Sequence, residues 1–405
     1  MKPYIQLSLT ALILASTMTT KAAPFHRVIT DSETSLHAED FHFHHTDIDL
    51  KTQGHWSIQK HTLHGGKQEG VELIEIDNGK LKFAVIPTRG MSIYKVWCGD
   101  VSLGWKSPVD EIVNPAFINL ESRGGLGWLD GFNEMMVRCG VEFAGHPGED
   151  DDGRMLTLHG KIGNIPASKV EIIVDDKPPY RIRIRGRVDE KTFKFSDYEL
   201  WTEISTVPGS NSFQVSDTLT NKSDYEREYQ IIYHGNFSQP LLEEGSKFVA
   251  AIKEVSPFND DAANEIKTWA TYFGPTKDYG ETVFTIIPYA DKNGDTDTML
   301  HNADGDRGVA VSFNINELPY LTLWKNTDTL KEGYVTGIEP GSGFPYNKSV
   351  ERKAGRVPTL RPGKSQSFSL EYTVLLSSDE VKARESSIKK IQGSRKTKVN
   401  KTPVQ

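Results

Sequence analysis

The chain predicts an all-β protein, a large twisted antiparallel β-sandwich with few short helices, and three observations carry that reading. Between Gly70 and Pro87 two alternating apolar runs are joined by Asp77-Asn78-Gly79. Asn-Gly between such runs marks a hairpin, because a type I′ turn needs positive φ at both central residues. Farther on, Arg181-Ile182-Arg183-Ile184-Arg185 alternates charge with bulk, as a strand does when one face is wet and the other buried. No strand-like run leads into the glycine-rich turn that opens a helix in nucleotide-binding α/β units.

In chain order, Met1-Lys2, the apolar run Ile5 to Ala15 and the small-residue site Thr20-Lys21-Ala22 read as a secretory signal peptide over residues 1–22. The run is too short to span a bilayer, so the expectation is a periplasmic or secreted protein with no stable membrane insertion after cleavage behind Ala22 or Ala23. Residues 23–53 read as a mobile N-terminal arm, in which His37, His42, His44 and His45 lack metal-ligand spacing. A single domain is expected over 54–377. It opens with the hairpin and continues to Arg89 beside Gly90, at a strand end.

From Trp105 to Gly145 periodicity fades while glycines and aromatics accumulate, as in Gly124-Gly125-Leu126-Gly127-Trp128-Leu129-Asp130-Gly131-Phe132-Asn133-Glu134 and Arg138-Cys139-Gly140. A loop this long in a compact domain is commonly functional, and it is expected to wall a pocket. Leu158-His159-Gly160 follows. Strands are then predicted over Tyr180–Val188, Tyr198–Thr206, Ser212–Thr220 and Arg227–Tyr233, the last ending at His234. Asp260 to Phe273 is the one mid-chain helix candidate. Asp291 to Asp297 resembles part of a calcium loop but lacks the Gly at its sixth position and the distal Glu, so a hairpin turn is expected. Strands resume at Gly308–Phe313, Tyr320–Trp324 and Ser367–Leu376. Glu339 closes an apolar run before Pro340-Gly341, which places a carboxylate at a strand mouth. Ser377 with Glu380 forms a capping box for a terminal helix, and residues 378–405 end in a disordered basic tail.

With 405 residues, 37% of them hydrophobic, the chain can bury a large core. A net charge of -8 argues against a nucleic-acid partner, since phosphate binding needs an excess of Lys and Arg. The two cysteines, Cys98 and Cys139, are too far apart for a metal or redox pair, leaving either one disulfide or two buried thiols.

Leu158-His159-Gly160, Tyr233-His234-Gly235-Asn236-Phe237 and Gly337-Ile338-Glu339-Pro340 stand in that order. On these motifs the chain resembles the galactose mutarotase-like (aldose 1-epimerase) superfamily over about residues 54–377. It looks closest to a bacterial branch marked by Arg-Gly-Met, Gly-Leu-Gly-Trp-Leu, Arg-Cys-Gly and Leu-His-Gly, here at Arg89, Gly125, Arg138 and Leu158. The resemblance implies Glu339 as general base on the anomeric hydroxyl and His234 as general acid on the ring oxygen. It further implies His159 and Arg89 as substrate ligands, with neither metal nor organic cofactor. Arg138, Asn133, Glu134 and Trp128 join them as candidate substrate-binding residues, Trp128 by stacking on a sugar face. The expected partner is a mono- or oligosaccharide. The alternatives are a carbohydrate-binding protein without catalysis, and a lyase, hydratase or isomerase on oxidised or acidic sugars in which Arg89 or Arg138 holds a carboxylate.

Overall fold

The computed structural model describes residues 24–48 and 54–403; the segment read as a signal peptide, residues 1–22, lies outside them. Two large sheets, of ten and thirteen strands, form the body. Among the described residues every strand-to-strand pairing in them is antiparallel except that of the C-terminal strand Lys398–Val399 with Ile252–Pro257, with isolated parallel bridges between Gly104 and Phe237 and between Gly140 and Gly160. The ten-stranded sheet contains Ile182–Lys191, Asp197–Thr206, Ser212–Asn221 and Ser365–Leu375 as consecutive antiparallel neighbours apart from their chain order. The thirteen-stranded sheet runs through Tyr320–Asn326, Val335–Gly341, Gln230–Phe237, Met136–Val141 and Ser92–Cys98 in that spatial order.

Alternation builds the core between the sheets. In Asp197–Thr206 and Ser212–Asn221 every second residue is buried, because successive side chains leave a strand on opposite faces. Leu200, Ile204, Val215 and Leu219 from one sheet meet Ile231, Leu321, Leu323 and Ile338 from the other in one apolar cluster. Phe83 and Phe213 stack across it at 5.5 Å. One charged contact also crosses this core. Arg138 grips Asp217 through Nε and Nη2, donates to Thr202 and to the carbonyls of Gly90 and Met91, and Tyr233 donates to Asp217 at 2.8 Å.

Several expectations are corrected. The hairpin forms between Glu72–Asp77 and Leu81–Ile86, but its turn centres on Gly79-Lys80, with positive φ only at Gly79, as a type II′ turn requires. Asn78 is instead buried and accepts from the backbone of Lys80 and Leu81 while donating to Thr206 and Ser210. The described part of the N-terminal arm is not mobile: Phe25–Asp31 pairs with Lys169–Val174, and Phe41–His44, carrying His42 and His44, pairs with Ser57–Thr62. The basic tail likewise contributes Lys398–Val399 as an edge strand. Only Asp260–Asn264 of the mid-chain helix candidate is α-helical. The Asp291 turn joins strands of different sheets and is no hairpin. The terminal helix Ser378–Gln392 does begin at a Ser377 cap, and Cys98 and Cys139 are both buried free thiols.

Candidate active site

His234 and Glu339 do not stand at strand ends. Both lie within strands, His234 in Gln230–Phe237 and Glu339 in Val335–Gly341. These strands pair at Ile232↔Gly341 and Gly235↔Ile338, so the register sets His234 opposite Glu339. Ladder pairing lapses between those points, where Pro340 has no N–H to donate. Alternation then divides each strand between two faces. Ile231, Tyr233 and Ile338 enter the inter-sheet core, while His234 and Glu339 face a cavity of about 240 Å³ on the other side of the same sheet. Trp324 and Thr322 reach that cavity in the same way, their neighbours Leu321 and Leu323 facing the core.

The glycine- and aromatic-rich loop closes over this face. Leu126, Trp128, Leu129 and Phe132 line the cavity together with His146, Leu158 and His159. Ring centroids lie 4.5 Å apart for Trp128 and Phe132, 5.3 Å for Phe132 and His234, and 5.3 Å for His159 and His234. His159 takes a positive φ of 60°, unusual for a residue with a Cβ. Its Nδ1 lies 3.1 Å from the Ala144 carbonyl, and that carbonyl, which only accepts, assigns the proton to Nδ1 and leaves Nε2 as an acceptor.

At the floor, His234 Nε2 lies 3.2 Å from Glu339 Oε1. Burial, reinforced by the negative charge of Glu281, pushes the Glu339 carboxyl well above the usual carboxylate range. Burial, then the neighbouring His159, holds His234 well below the ordinary imidazole value. Burial also lowers His159 to about 4. The pair is therefore set to hold one proton between two uncharged groups, and among the described residues lining the cavity none is Lys or Arg.

Of the residues expected to bind substrate, Trp128 and His159 line this cavity with His234 and Glu339, whereas Arg89, Arg138, Asn133 and Glu134 do not. Arg89 and Glu134 are fully buried and pair with each other, Arg89 also donating to the Val113 carbonyl and to Asn164. Asn133 spends its amide on the carbonyls of Val109 and Glu111. Arg138 is committed to Asp217 on the opposite face of the sheet. All four hold the loop and the sheets in place. The sequence contained a sign of this for Arg138: in Met136–Val141 it alternates with Val137, and Val137 packs against the Trp128 cluster. The reading missed Phe132, His146, Glu281, Thr322 and Trp324. The alternation of Leu321-Thr322-Leu323-Trp324 carried a signal for two of them; Glu281, which accepts from Trp324 Nε1 at 2.7 Å, carried none.

Gly337 shares the cavity face with Glu339, two residues on. Its φ is not positive, yet a Cβ there would fall on Glu339 Oε1 and close on His234 Cε1 at 3.3 Å. Gly337→Ala is thus expected to displace the pair with little effect on the backbone. If the pair is the reactive centre, turnover falls at least about tenfold while the far-ultraviolet circular dichroism spectrum is unchanged. Full activity in that variant would show that the spacing of the pair is immaterial.

The chain is similar to a solved protein from Klebsiella pneumoniae subsp. pneumoniae MGH 78578 that carries the provisional name aldose 1-epimerase. The two are 51% identical with a TM-score of 0.92, over 94% of this chain and 99% of that one. A galactose mutarotase-like protein from Clostridium acetobutylicum shares the fold at 16% identity and a TM-score of 0.53, covering 78% of this chain and 98% of that one. No curated protein matches the chain. The family model described as Domain of unknown function (DUF4432) matches residues 68–374, and the chain accordingly belongs to that family, built on the galactose mutarotase-like β-sandwich.

Proposed function

We propose that the protein is an aldose 1-epimerase-like enzyme that interconverts sugar anomers by acid/base ring opening. The observation that carries this reading is the His234–Glu339 contact at the floor of an aromatic-walled cavity. Opening a cyclic hemiacetal removes a proton from O1, delivers one to the ring oxygen and breaks the bond between that oxygen and the anomeric carbon. Reclosure on the other face of the carbonyl gives the second anomer and restores both protons. A pair that holds one proton and offers one acceptor meets this balance. Burial and the charge of Glu281 favour the proton on Glu339. In the form with the proton on His234, Glu339 takes the O1 proton and His234 protonates the ring oxygen. The two groups stand 3.2 Å apart, and Glu339 Oε1 has no hydrogen-bond partner among the described residues, which leaves it open to O1. Trp128, Phe132 and Trp324 supply faces for the apolar side of a sugar ring, and His159 Nε2 accepts from a hydroxyl.

The charge of the lining narrows the substrate. The lyase or hydratase reading assigned a carboxylate to Arg89 or Arg138, and both are buried in ion pairs. The substrate proposed is therefore a neutral aldose. The test is exchange NMR of anomer interconversion over neutral aldoses, uronic acids and sugar phosphates. Acceleration of at least one neutral aldose is expected; binding of neutral sugars without acceleration would favour a carbohydrate-binding protein. We also propose export, supported by the charged start and apolar run of residues 1–22. N-terminal sequencing of the protein from the producing cell is expected to begin after Ala22 or Ala23, and a mature chain that retains Met1 would refute it.

A further inference from the structure

The row of side chains that crosses the sheet through His234 continues beyond Glu339. Strand Tyr320–Asn326 pairs with Val335–Gly341 so that Thr322 stands opposite Glu339, and directly opposed residues carry their Cβ atoms on one face about 5 Å apart. Thr322 lines the cavity and is 2% exposed, yet its hydroxyl has no hydrogen-bond partner. The next residue in the row provides a contrast. Thr285, opposite Thr322 on the following strand, donates to the Ser256 carbonyl at 3.4 Å. An unpaired buried hydroxyl is destabilising where a Val of the same shape is not. Such a group beside a reactive pair has its use when a ligand supplies the missing partner.

We propose that Thr322 is a specificity-determining residue whose hydroxyl hydrogen-bonds the hydroxyl on carbon 2 of the bound aldose. The inference rests on the epimerase reading of the same site. With O1 against Glu339, the vicinal hydroxyl is the next polar group along the sugar, and Thr322 is the next polar group along the row. Thr322 neither gains nor loses a proton overall; it fixes the ring so that O1 and the ring oxygen both face the pair.

The test compares D-glucose with 2-deoxy-D-glucose, and D-galactose with 2-deoxy-D-galactose, in the wild type, Thr322→Val and Thr322→Ser. The wild type is expected to prefer the parent sugar of at least one pair by about tenfold in kcat/KM, the worth of one buried hydrogen bond. Thr322→Val is expected to lose that factor on the parent sugar alone, bringing the ratio near one, and Thr322→Ser to keep the preference. Equal losses on parent and deoxy sugar, or an unchanged ratio, overturn the assignment, because a merely structural role lowers both together. If the wild type binds these sugars without turnover, the ratio of Kd values from calorimetry decides the role of Thr322 while the epimerase reading falls. If the panel shows another neutral aldose to be the better substrate, the same ratio is read on that sugar and its 2-deoxy form; a wild type that neither binds nor turns over any neutral aldose overturns both.

Discussion

Glu339→Gln is expected to lower kcat for anomer interconversion by about 10²- to 10⁴-fold, and His234→Asn by a similar factor, with the fold intact. Gln keeps the shape of Glu but can neither accept nor release the proton, so the pair loses its exchange. The two losses are not additive, because both variants break one unit: the side chains stand 3.2 Å apart and neither transfers a proton across the hemiacetal alone. The double variant is expected to be about as slow as either single one. Stopped polarimetry on freshly dissolved sugar reads the rate directly, and an unchanged rate in His234→Asn would falsify the assignment.

The same pair sets the pH dependence. Activity requires one proton on the pair as a whole, and the limbs of the profile belong to the pair as a unit. On the acid side a second proton must enter, and His234 is held below the ordinary imidazole range by burial and His159, while His159 itself titrates at about 4. On the alkaline side the proton must leave Glu339, which burial and Glu281 hold above the usual carboxylate range. The expected kcat/KM profile is a plateau whose acid limb lies below the ordinary imidazole value. An acid limb at or above that value would contradict it.

The second large effect is on stability. Arg138→Ala is expected to destabilise the protein by about 3–5 kcal/mol, because it leaves Asp217 charged, buried and without its counter-ion. Replacing both partners by apolar residues, as in Arg138→Met with Asp217→Leu, is expected to cost less than Arg138→Ala, since no uncompensated charge remains. Urea unfolding midpoints of the single and double variants check this. If Arg138→Ala does not accumulate as folded protein, Arg138→Met, which fills the same space and still leaves Asp217 without its counter-ion, supplies the single-variant measurement. A double variant less stable than the single one would mean that the pair itself, and not the avoidance of a lone charge, holds the sheets together.

Much of the architecture was written in the chain because its cause is local. Period-two alternation in Asp197–Thr206 and Ser212–Asn221 needs only one buried face, and the Ser377 cap needs only the orphan amides of the next turn. The motifs around His159, His234 and Glu339 led to residues that share one cavity, and the loop rich in Gly and Trp does wall it. Decisions that depend on a distant partner were not legible. Arg89 at a strand end and Arg138 in the glycine-rich segment both read as free donors in the sequence, and only Glu134 and Asp217, 45 and 79 residues away, turn them into buried ion pairs. The arm around His42 and the tail at Lys398 read as mobile because each is polar by itself; Ser57–Thr62 for the arm, and Ile252–Pro257, 144 residues before the tail, supplied the backbone partners. Glu281 carries no signal, and the alternation that turns Thr322 and Trp324 away from the core does not say what they meet there. Sequence fixes which face of its own strand a side chain takes, because that follows from backbone geometry alone, whereas the partner it meets there is settled only when the sheets close and their registers align.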